Sequence, residues 1–474
     1  MNPSFLRSSR RSFLKGLTAT TASGIILPNL LIRADDTPAG RKLAVAAIGC
    51  GGKGASDLEG SSKGNEVVAL CDVDEKTLSK AAAKYPNAKL YRDFRKMLDE
   101  VKEIEAVTVS TPDHAHYPAA MHAIALGKHV CVQKPLVNTL WEARELHKAA
   151  TKKGVITQMG NQGHTYDDNR VVKEWIAAGV IGKVKEIHVW TNRPIWPQGK
   201  AATLKAGDIP ADLDWQTWLA ATPDHSYSPD IHPFKWRGFL EWGAGAFGDM
   251  GCHLIDAASW ALDLGVPRFA TATQVDDLTE VAWPTGAIVK MEFPNVKNHG
   301  DVSLTWYEGK KPDGSPYLPE FPSIVELNEA FADKDPKKDG KPTPGGWFIV
   351  GSEGVIFNKN DQAKDPQIWP KSRREEILAK PIEKTLERSP KAGNPQEEWT
   401  AAIKNGKPFS FMSQFDYSVP LTELTLVGGL SMHFAGRRIE WDAEKLEVVG
   451  MPEAAKFIKR AAYRKGWEYS SDKI

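Results

Sequence analysis

Lys134, Asp249 and His253 are the residues of this chain whose types and settings best suit the transfer of a proton. Lys134 ends the run His129-Val130-Cys131-Val132-Gln133 and stands directly before Pro135. A residue before proline is confined to extended backbone, so the lysine is aimed from a fixed point. There it can hydrogen-bond a substrate hydroxyl and, if desolvated, lose its proton near neutrality; a solvated charge at a strand end is the competing reading. Asp249 and His253 have i, i+4 spacing on a predicted helix and share a face, with Asp256 extending the stripe. A carboxylate beside an imidazole fixes its tautomer and supports the imidazolium, which makes a general base; a purely structural Asp–His pair is the alternative. Clustered His and Asp also raise zinc, but the chain has no His-Glu-x-x-His and no thiolate pair, so no metal is expected.

These groups need something to act with, and the stretch Leu43 to Asp74 supplies it. An apolar run, Leu43-Ala44-Val45-Ala46-Ala47-Ile48, leads into Gly49-Cys50-Gly51-Gly52-Lys53-Gly54, which fits G-x-G-x-x-G. A second run from Glu66 to Cys71 ends at Asp72. In a dinucleotide site Gly49 permits the tight turn, Gly51 lets backbone N–H groups approach a pyrophosphate, and Gly54 lets helix and strand pack closely. The following helix N-terminus faces the phosphates with its unpaired donors and positive dipole end. Asp72, 23 residues after Gly49, is placed to accept from both ribose hydroxyls. It would repel a 2′-phosphate, so NAD is favoured over NADP. An empty glycine-rich turn is the alternative.

Further polar groups follow predicted strands. Thr111-Pro112-Asp113-His114-Ala115-His116 follows the strand at 106–110, and Asn161-Gln162-Gly163-His164 follows the strand Val155–Met159. Both should rim the cleft at the carboxyl end of a parallel sheet. Their Thr111, Pro112, His114, His116 and Asn161, with Gln133 and Lys134, are candidates for the cofactor. His164, Trp236, Arg237, Asp249 and His253 are candidates for the substrate. The histidines and Asn161 equally suit capping of the helices that follow. The segment 193–236 is rich in Pro and Trp and is expected to set substrate choice.

Around these sites the chain alternates short apolar runs with helical patterns to residue 162, the rhythm of a doubly wound parallel sheet. Helices are predicted at Glu75–Lys84, Phe94–Glu100, Pro118–Leu126 and Leu140–Lys152. Beyond them strands predominate: Lys183–Thr191, Phe269–Val275, Ala287–Phe293, Val302–Trp306, Trp347–Val350 and Val355–Phe357. No long helices separate the later ones, so an α+β domain with a large, mostly antiparallel open sheet is expected over 163–474. Residues 308–345 read as a surface insertion, and a helix at Tyr417–Phe434 as packing back on the body. Basic and acidic residues balance at 61 and 60, so nothing points to nucleic acid. The four cysteines have no metal spacing and read as small buried hydrophobes.

Ser9-Arg10-Arg11-Ser12-Phe13-Leu14-Lys15 is a twin-arginine pattern followed by a mildly apolar run to Leu31. The run is broken by Gly24 and Pro28 and is too short and polar for a stable membrane anchor. Residues 1–34 are expected to be a signal peptide read by the twin-arginine export machinery, 35–41 a linker, and the mature protein periplasmic.

The chain resembles the Gfo/Idh/MocA family (glucose–fructose oxidoreductase, inositol dehydrogenase, rhizopine catabolism) over roughly residues 42–300. The likeness rests on the Gly49–Gly54 loop with Asp72, the loop from Thr111 to His116, Lys134-Pro135, and the stretch Gly248 to Asp256. It implies a Rossmann domain binding NAD(P), here 42–162, and a second domain that builds a sugar or cyclitol site and often an oligomer interface. A homo-oligomer, dimer or tetramer, is expected on that ground. The family's Glu-Lys-Pro motif matches at Lys134 and Pro135, but position 133 is Gln. If that Glu normally supports a charged lysine, Gln133 leaves Lys134 easier to deprotonate, and Gln133→Glu should raise the acid limb of the pH–rate profile. The resemblance implies an NAD-dependent oxidoreductase that takes hydride from a sugar, glycoside or cyclitol hydroxyl, with His253 as base and Lys134 polarising the oxygen. Because an exported protein meets no free NAD, the cofactor should be tightly bound. A glycoside hydrolase or lyase with internal redox recycling and a non-catalytic sugar-binding paralogue are the alternatives.

Overall fold

The apolar runs at the start of the chain become strands buried on both faces, as a central parallel sheet requires. In the computed structural model, which describes residues 40–319, 345–360 and 364–474, the first sheet has six parallel strands in the order β3-β2-β1-β4-β5-β6. They are β1 (Ala44–Ile48), β2 (Glu66–Cys71), β3 (Lys89–Tyr91), β4 (Ala106–Val109), β5 (His129–Val132) and β6 (Thr157–Met159). Between them run α1 (Lys53–Ser62), α2 (Glu75–Lys84), α3 (Phe94–Glu100), α4 (Asp113–Ala125) and α5 (Leu140–Lys153). Local chemistry starts the helices where the sequence suggests: Asp74 caps α2 by accepting from Thr77 N, Asp93 caps α3 and Thr139 caps α5. The strand order reverses between β1 and β4, which opens a crevice at their carboxyl ends.

One boundary differs with consequence. Proline suits a first helical turn, which placed the start of α4 at Pro118. The helix instead begins at Asp113, whose carboxylate favours the N-terminal dipole end, and Pro118 lies inside it. His114 and His116 therefore stand on a helix rather than in a loop.

The second sheet has nine strands in the order β13-β12-β11-β7-β10-β9-β8-β14-β15. They are β7 (Val184–Thr191), β8 (Phe269–Asp276), β9 (Gly286–Val296), β10 (Gly300–Gly309), β11 (Gly345–Gly351), β12 (Val355–Asn358), β13 (Gln367–Trp369), β14 (Ile439–Asp442) and β15 (Glu447–Val448). Every pairing is antiparallel except β7 with β10. The chain also carries α6 (Asp167–Ala177), α7 (Trp215–Leu219), α8 (Gly245–Leu254) and α9 (Asp256–Leu262). Phe247 of α8 lies flat on Trp306 of β10, ring centroids 4.5 Å apart. The predicted helix at 417–434 is found at Phe415–Met432 and packs on α5 and α8, where Gly428 leaves room for the Phe247 ring.

One sequence-based boundary is altered, and one long-range contact is unexpected. Strand β10 runs through Gly309 and β11 begins at Gly345, so residues 308, 309 and 345 belong to the sheet rather than to an insertion; 320–344 lie outside the described residues, as do residues 1–39. The helix Pro395–Lys404 returns to α1, and Trp399, Phe411 and Met412 share a core with Leu43, Val45 and Leu58. The first layer is thus completed by residues far along the chain, a long-range contact with no local signal. All four cysteines are free and buried.

Glu308 is buried at the end of β10, with the Trp306 indole N–H donating to it at 2.8 Å, and burial raises its pKa from 4.5 to about 8. Its folded value exceeds the unfolded one, so its stabilising contribution is full below about pH 4.5 and is lost as pH rises towards 8. Glu308→Gln should therefore match the wild type at pH 4.5 and be the more stable at pH 8 by on the order of a few kcal/mol in denaturant unfolding. Stability curves that stay parallel across this range would contradict the assignment.

Candidate active site

The crevice between β1 and β4 is built by close backbone approach. A Cβ on Gly54 would stand 2.2 Å from Gly49 O, and one on Gly49, at φ +84°, 2.6 Å from Ser110 O. Any side chain at either position would push α1 or the Ser110–Thr111 turn away. The N–H groups of Gly51 and Gly52 have no acceptor among the described residues, and a Cβ at Gly52 would meet only open space. At the end of β2 the Asp72 carboxylate accepts from Cys50 N at 2.8 Å and Asp74 N at 2.9 Å, which fixes both oxygens and leaves lone pairs to spare. Burial raises its pKa. Free donors at a helix N-terminus and a fixed carboxylate one strand away fit the pyrophosphate and ribose of a dinucleotide.

This crevice continues into a cleft of about 630 Å³ that holds Lys53, Thr111, Pro112, Lys134, Trp236, Arg237 and His253 as well as the glycine loop and Asp72. Strand β5 delivers Lys134, and α8 delivers Asp249 and His253. Lys134 Nζ donates to Asp249 Oδ1 and to Asp249 O, each at 2.8 Å. Arg237 Nε reaches the same Oδ1 at 3.4 Å. Burial works against the charge of Asp249, yet Lys134 and Arg237 hold its pKa down at about 2. Burial, reinforced by the Lys134 charge, lowers His253 to about 3, so its ring is neutral.

The expected Asp249–His253 orienting bond is not formed. Asp249 shares the helix face with His253 but is taken up by Lys134 and Arg237, the stronger partners for a buried carboxylate, and His253 Nδ1 is buried with no partner. Asp256, the next carboxylate of the stripe, instead pairs with His164 at 2.9 Å, joined by Tyr417 and Asn169. This pair is fully buried against Trp260 rather than on the cleft wall. His114 donates to Trp218 O at 2.8 Å, while His116 lies between Pro135 O at 2.9 Å and Thr111 O at 2.8 Å and, as a neutral ring, donates to one of the two. Burial lowers their pKa to about 3 and about 4. His114 and His164 thus serve structure; His116 does so while lining the cleft. Cys50 contributes its backbone N–H, its side chain being buried. Asn161 is buried with neither amide atom bonded, and neighbouring Gln162, on the cleft wall, has a buried, unbonded Oε1.

Gln133 does not contact the Lys134 amine. Its Nε2 donates at 2.7 Å to Asp57 Oδ2, a buried carboxylate that also accepts from Lys53, Ser110 and Gln396. The expectation that position 133 tunes the lysine directly is therefore corrected: the amide is turned towards α1.

Sequence reasoning missed three contributors. Asp57 was legible only as a partner four residues from Lys53. Asp113 lines the cleft, accepts from Ala244 N at 3.1 Å, and is pushed by burial to a pKa of about 7 against the pull of Arg237 and Lys134. The third is the Trp-rich segment, which is bonded to the loop beyond β2. Asp212 to Asp214 bond to Val73–Glu75 through Glu75 N to Asp212 O and Asp214 N to Val73 O, both 2.9 Å. Arg92 adds bonds to Val73 O and Asp212 O. Among the described residues no group of three or more His, Cys, Asp or Glu side chains is placed to hold a metal ion, and no helix is long and apolar enough to cross a membrane.

Residues 43–161 match the model of an oxidoreductase family with an NAD-binding Rossmann fold, and residues 169–268 match that family's C-terminal alpha/beta domain. The chain is 22% identical over 294 residues to scyllo-inositol 2-dehydrogenase (NADP(+)) IolW of Bacillus subtilis, covering 56% of this chain and 72% of that protein. It is 28% identical over 197 residues to D-glucoside 3-dehydrogenase of Escherichia coli, but that match spans only 46% of the relative and 42% of this chain. Among solved structures, the WlbA dehydrogenase from Bordetella pertussis in complex with NADH and UDP-GlcNAcA superposes with a TM-score of 0.58 at 16% identity, over 85% of this chain and 98% of that one. Sheet order, glycine loop and matched domains agree: the chain belongs to the Gfo/Idh/MocA family of oxidoreductases.

Proposed function

We propose that the protein oxidises a hydroxyl of a sugar, glycoside or cyclitol, with NAD preferred over NADP and held as a resident cofactor. The observation that carries this reading is the Lys134–Asp249 ion pair beside neutral His253, in one cleft with the glycine loop and Asp72. A bound nicotinamide would supply the hydride acceptor, with a second sugar as the final acceptor that returns it to the oxidised form. Lys134, held by Asp249, donates a hydrogen bond to the reacting oxygen and stabilises the negative charge that grows on it. His253, kept neutral by burial, accepts the hydroxyl proton as hydride leaves the carbon. Trp218, Phe234 and Trp236 wall the cleft with flat apolar faces suited to a sugar ring. Relatives named for an inositol and a glucoside support the substrate class. The carboxylate of Asp72 supports NAD, although one relative is named for NADP(+).

Resident cofactor is supported by the strap Asp212–Asp214 fastened across Val73–Glu75, next to Asp72. It accords with export of an already folded protein through the twin-arginine route to the periplasm, which the residues Arg10-Arg11-Ser12-Phe13-Leu14-Lys15 suggest.

His253→Ala should lower kcat/KM about a hundred- to ten-thousand-fold while changing sugar affinity by no more than about 1–2 kcal/mol. Unchanged turnover would remove His253 from the mechanism. Protein purified without added nucleotide, then denatured and stripped of polypeptide, should release close to stoichiometric NAD or NADH; an empty protein would refute residency. Gln133→Glu places two carboxylates against each other at Asp57, so it should cost about 1–3 kcal/mol of stability. Asp57→Asn should restore most of that loss in the double variant, and strictly additive effects in the double-mutant cycle would count against the pairing.

A further inference from the structure

The catalytic half of the cleft carries more positive than negative charge. Lys134 and Arg237 are its cations, and both lean on one oxygen of Asp249. The other nearby carboxyl, Asp113, is buried and bonded to a backbone N–H rather than to either cation, and burial keeps it from being firmly ionised at neutrality. His253 is neutral. Bound NAD would not correct the imbalance, because its pyrophosphate faces the glycine loop and oxidised nicotinamide is itself positive. Lys134 has the reacting oxygen to stabilise. Arg237 has no ion-pair partner beyond Asp249 among the described residues.

Arg237 is also built as a recognition group. Its guanidinium lies 4.1 Å from the Trp236 ring centroid and 4.7 Å from that of Phe234, which fixes the plane of the fork. Its Nε and Nη1 are used by Asp249 and Phe234 O, whereas Nη2 donates to nothing among the described residues. The side chain is 24% exposed on the cleft wall. Its backbone is pinned on both sides: a Cβ at Gly243 would stand 2.6 Å from Arg237 Cα, and one at Gly238 2.2 Å from Pro197 O. A guanidinium whose single carboxylate partner is shared with Lys134 gains from a bound group that brings further negative charge.

We propose that the substrate is an anionic sugar, a uronic acid or its glycoside, whose carboxylate docks on the free side of the Arg237 guanidinium while a ring hydroxyl faces Lys134 and His253. This rests on the oxidoreductase reading and adds the substrate's charge to it. Arginine suits the task because its planar fork meets a carboxylate with charge-assisted, directional bonds that a neutral hydroxymethyl group cannot match.

The test uses the NAD-loaded protein and matched pairs: glucuronate and glucose, methyl glucuronide and methyl glucoside, and the corresponding galacto pairs. Reduction of NAD is followed by absorbance, and binding to the NADH-loaded protein by calorimetry. Each acid should exceed its neutral partner about tenfold or more in the second-order rate of single-turnover NAD reduction, chiefly through a lower half-saturating concentration. Arg237→Gln should collapse that ratio to within a few-fold, and Arg237→Lys should keep part of it. Thermal melts establish that both variants fold. Equal turnover of acids and neutral sugars by the wild type would overturn the carboxylate assignment and leave the oxidoreductase reading standing. If nothing reduces NAD, that reading falls, and calorimetry alone decides the docking: tenfold weaker uronate binding in Arg237→Gln supports it, and unchanged or absent uronate binding overturns it.

Discussion

The carboxylate of Asp249 is the interaction on which the site depends. It is buried in α8, above the second sheet, and it holds the ammonium of Lys134, which comes from the end of β5 in the first. Two separately built layers are thereby joined at the point where chemistry is needed. Burying any one of these charges alone would be costly, and removing one partner of such a pair leaves the other uncompensated, a loss of about 3–5 kcal/mol. The pair is therefore self-enforcing: the lysine cannot swing into solvent without leaving the aspartate to the longer, 3.4 Å contact with Arg237. The position of the lysine in the cleft and the joining of the two layers are set by the same bond.

The rest of the cleft is organised by apolar packing that has little to do with the reaction itself. Trp215, Trp218, Tyr227, Ile231, Trp236, Phe239 and Trp242 form a small core of their own, with Val73 of the nucleotide crevice packed against it. That core fixes the backbone that presents Arg237, and it fastens the Asp212–Asp214 strap over the loop beyond β2. Aromatic side chains bury much area for few rotatable bonds, so a segment with little regular structure beyond α7 can still be rigid. Sixteen tryptophans are accounted for partly in this way, as scaffold first and cleft wall second.

Residues that look alike in sequence are sorted by burial. His253 and His164 each stand near an aspartate, yet His253 faces the cleft with an unbonded Nδ1 and His164 is locked to Asp256 behind it. Gln133 and Lys134 are adjacent, but successive side chains of an extended chain point to opposite faces. The amide therefore turns to Asp57 under α1 and the amine to Asp249 over the cleft. The glutamine is explained by that neighbour: an acid at position 133 would confront Asp57.

The sequence by itself determined what short-range chemistry controls. The alternation of runs and turns, the glycines at 49 and 54, Asp72 at a strand end, and the i, i+4 spacing of Asp249 and His253 were all legible, because strand period, turn sterics and helix geometry act within a few residues. What only the tertiary structure decided were the partners brought from afar. Asp249 serves Lys134 rather than His253, Gln133 meets Asp57, Asp113 is buried among cations, and the helix Pro395–Lys404 returns to close the first layer. Each depends on which groups lose water together when distant segments pack. The free energy of a charge or amide is set by that shared burial, and one-dimensional spacing does not encode it.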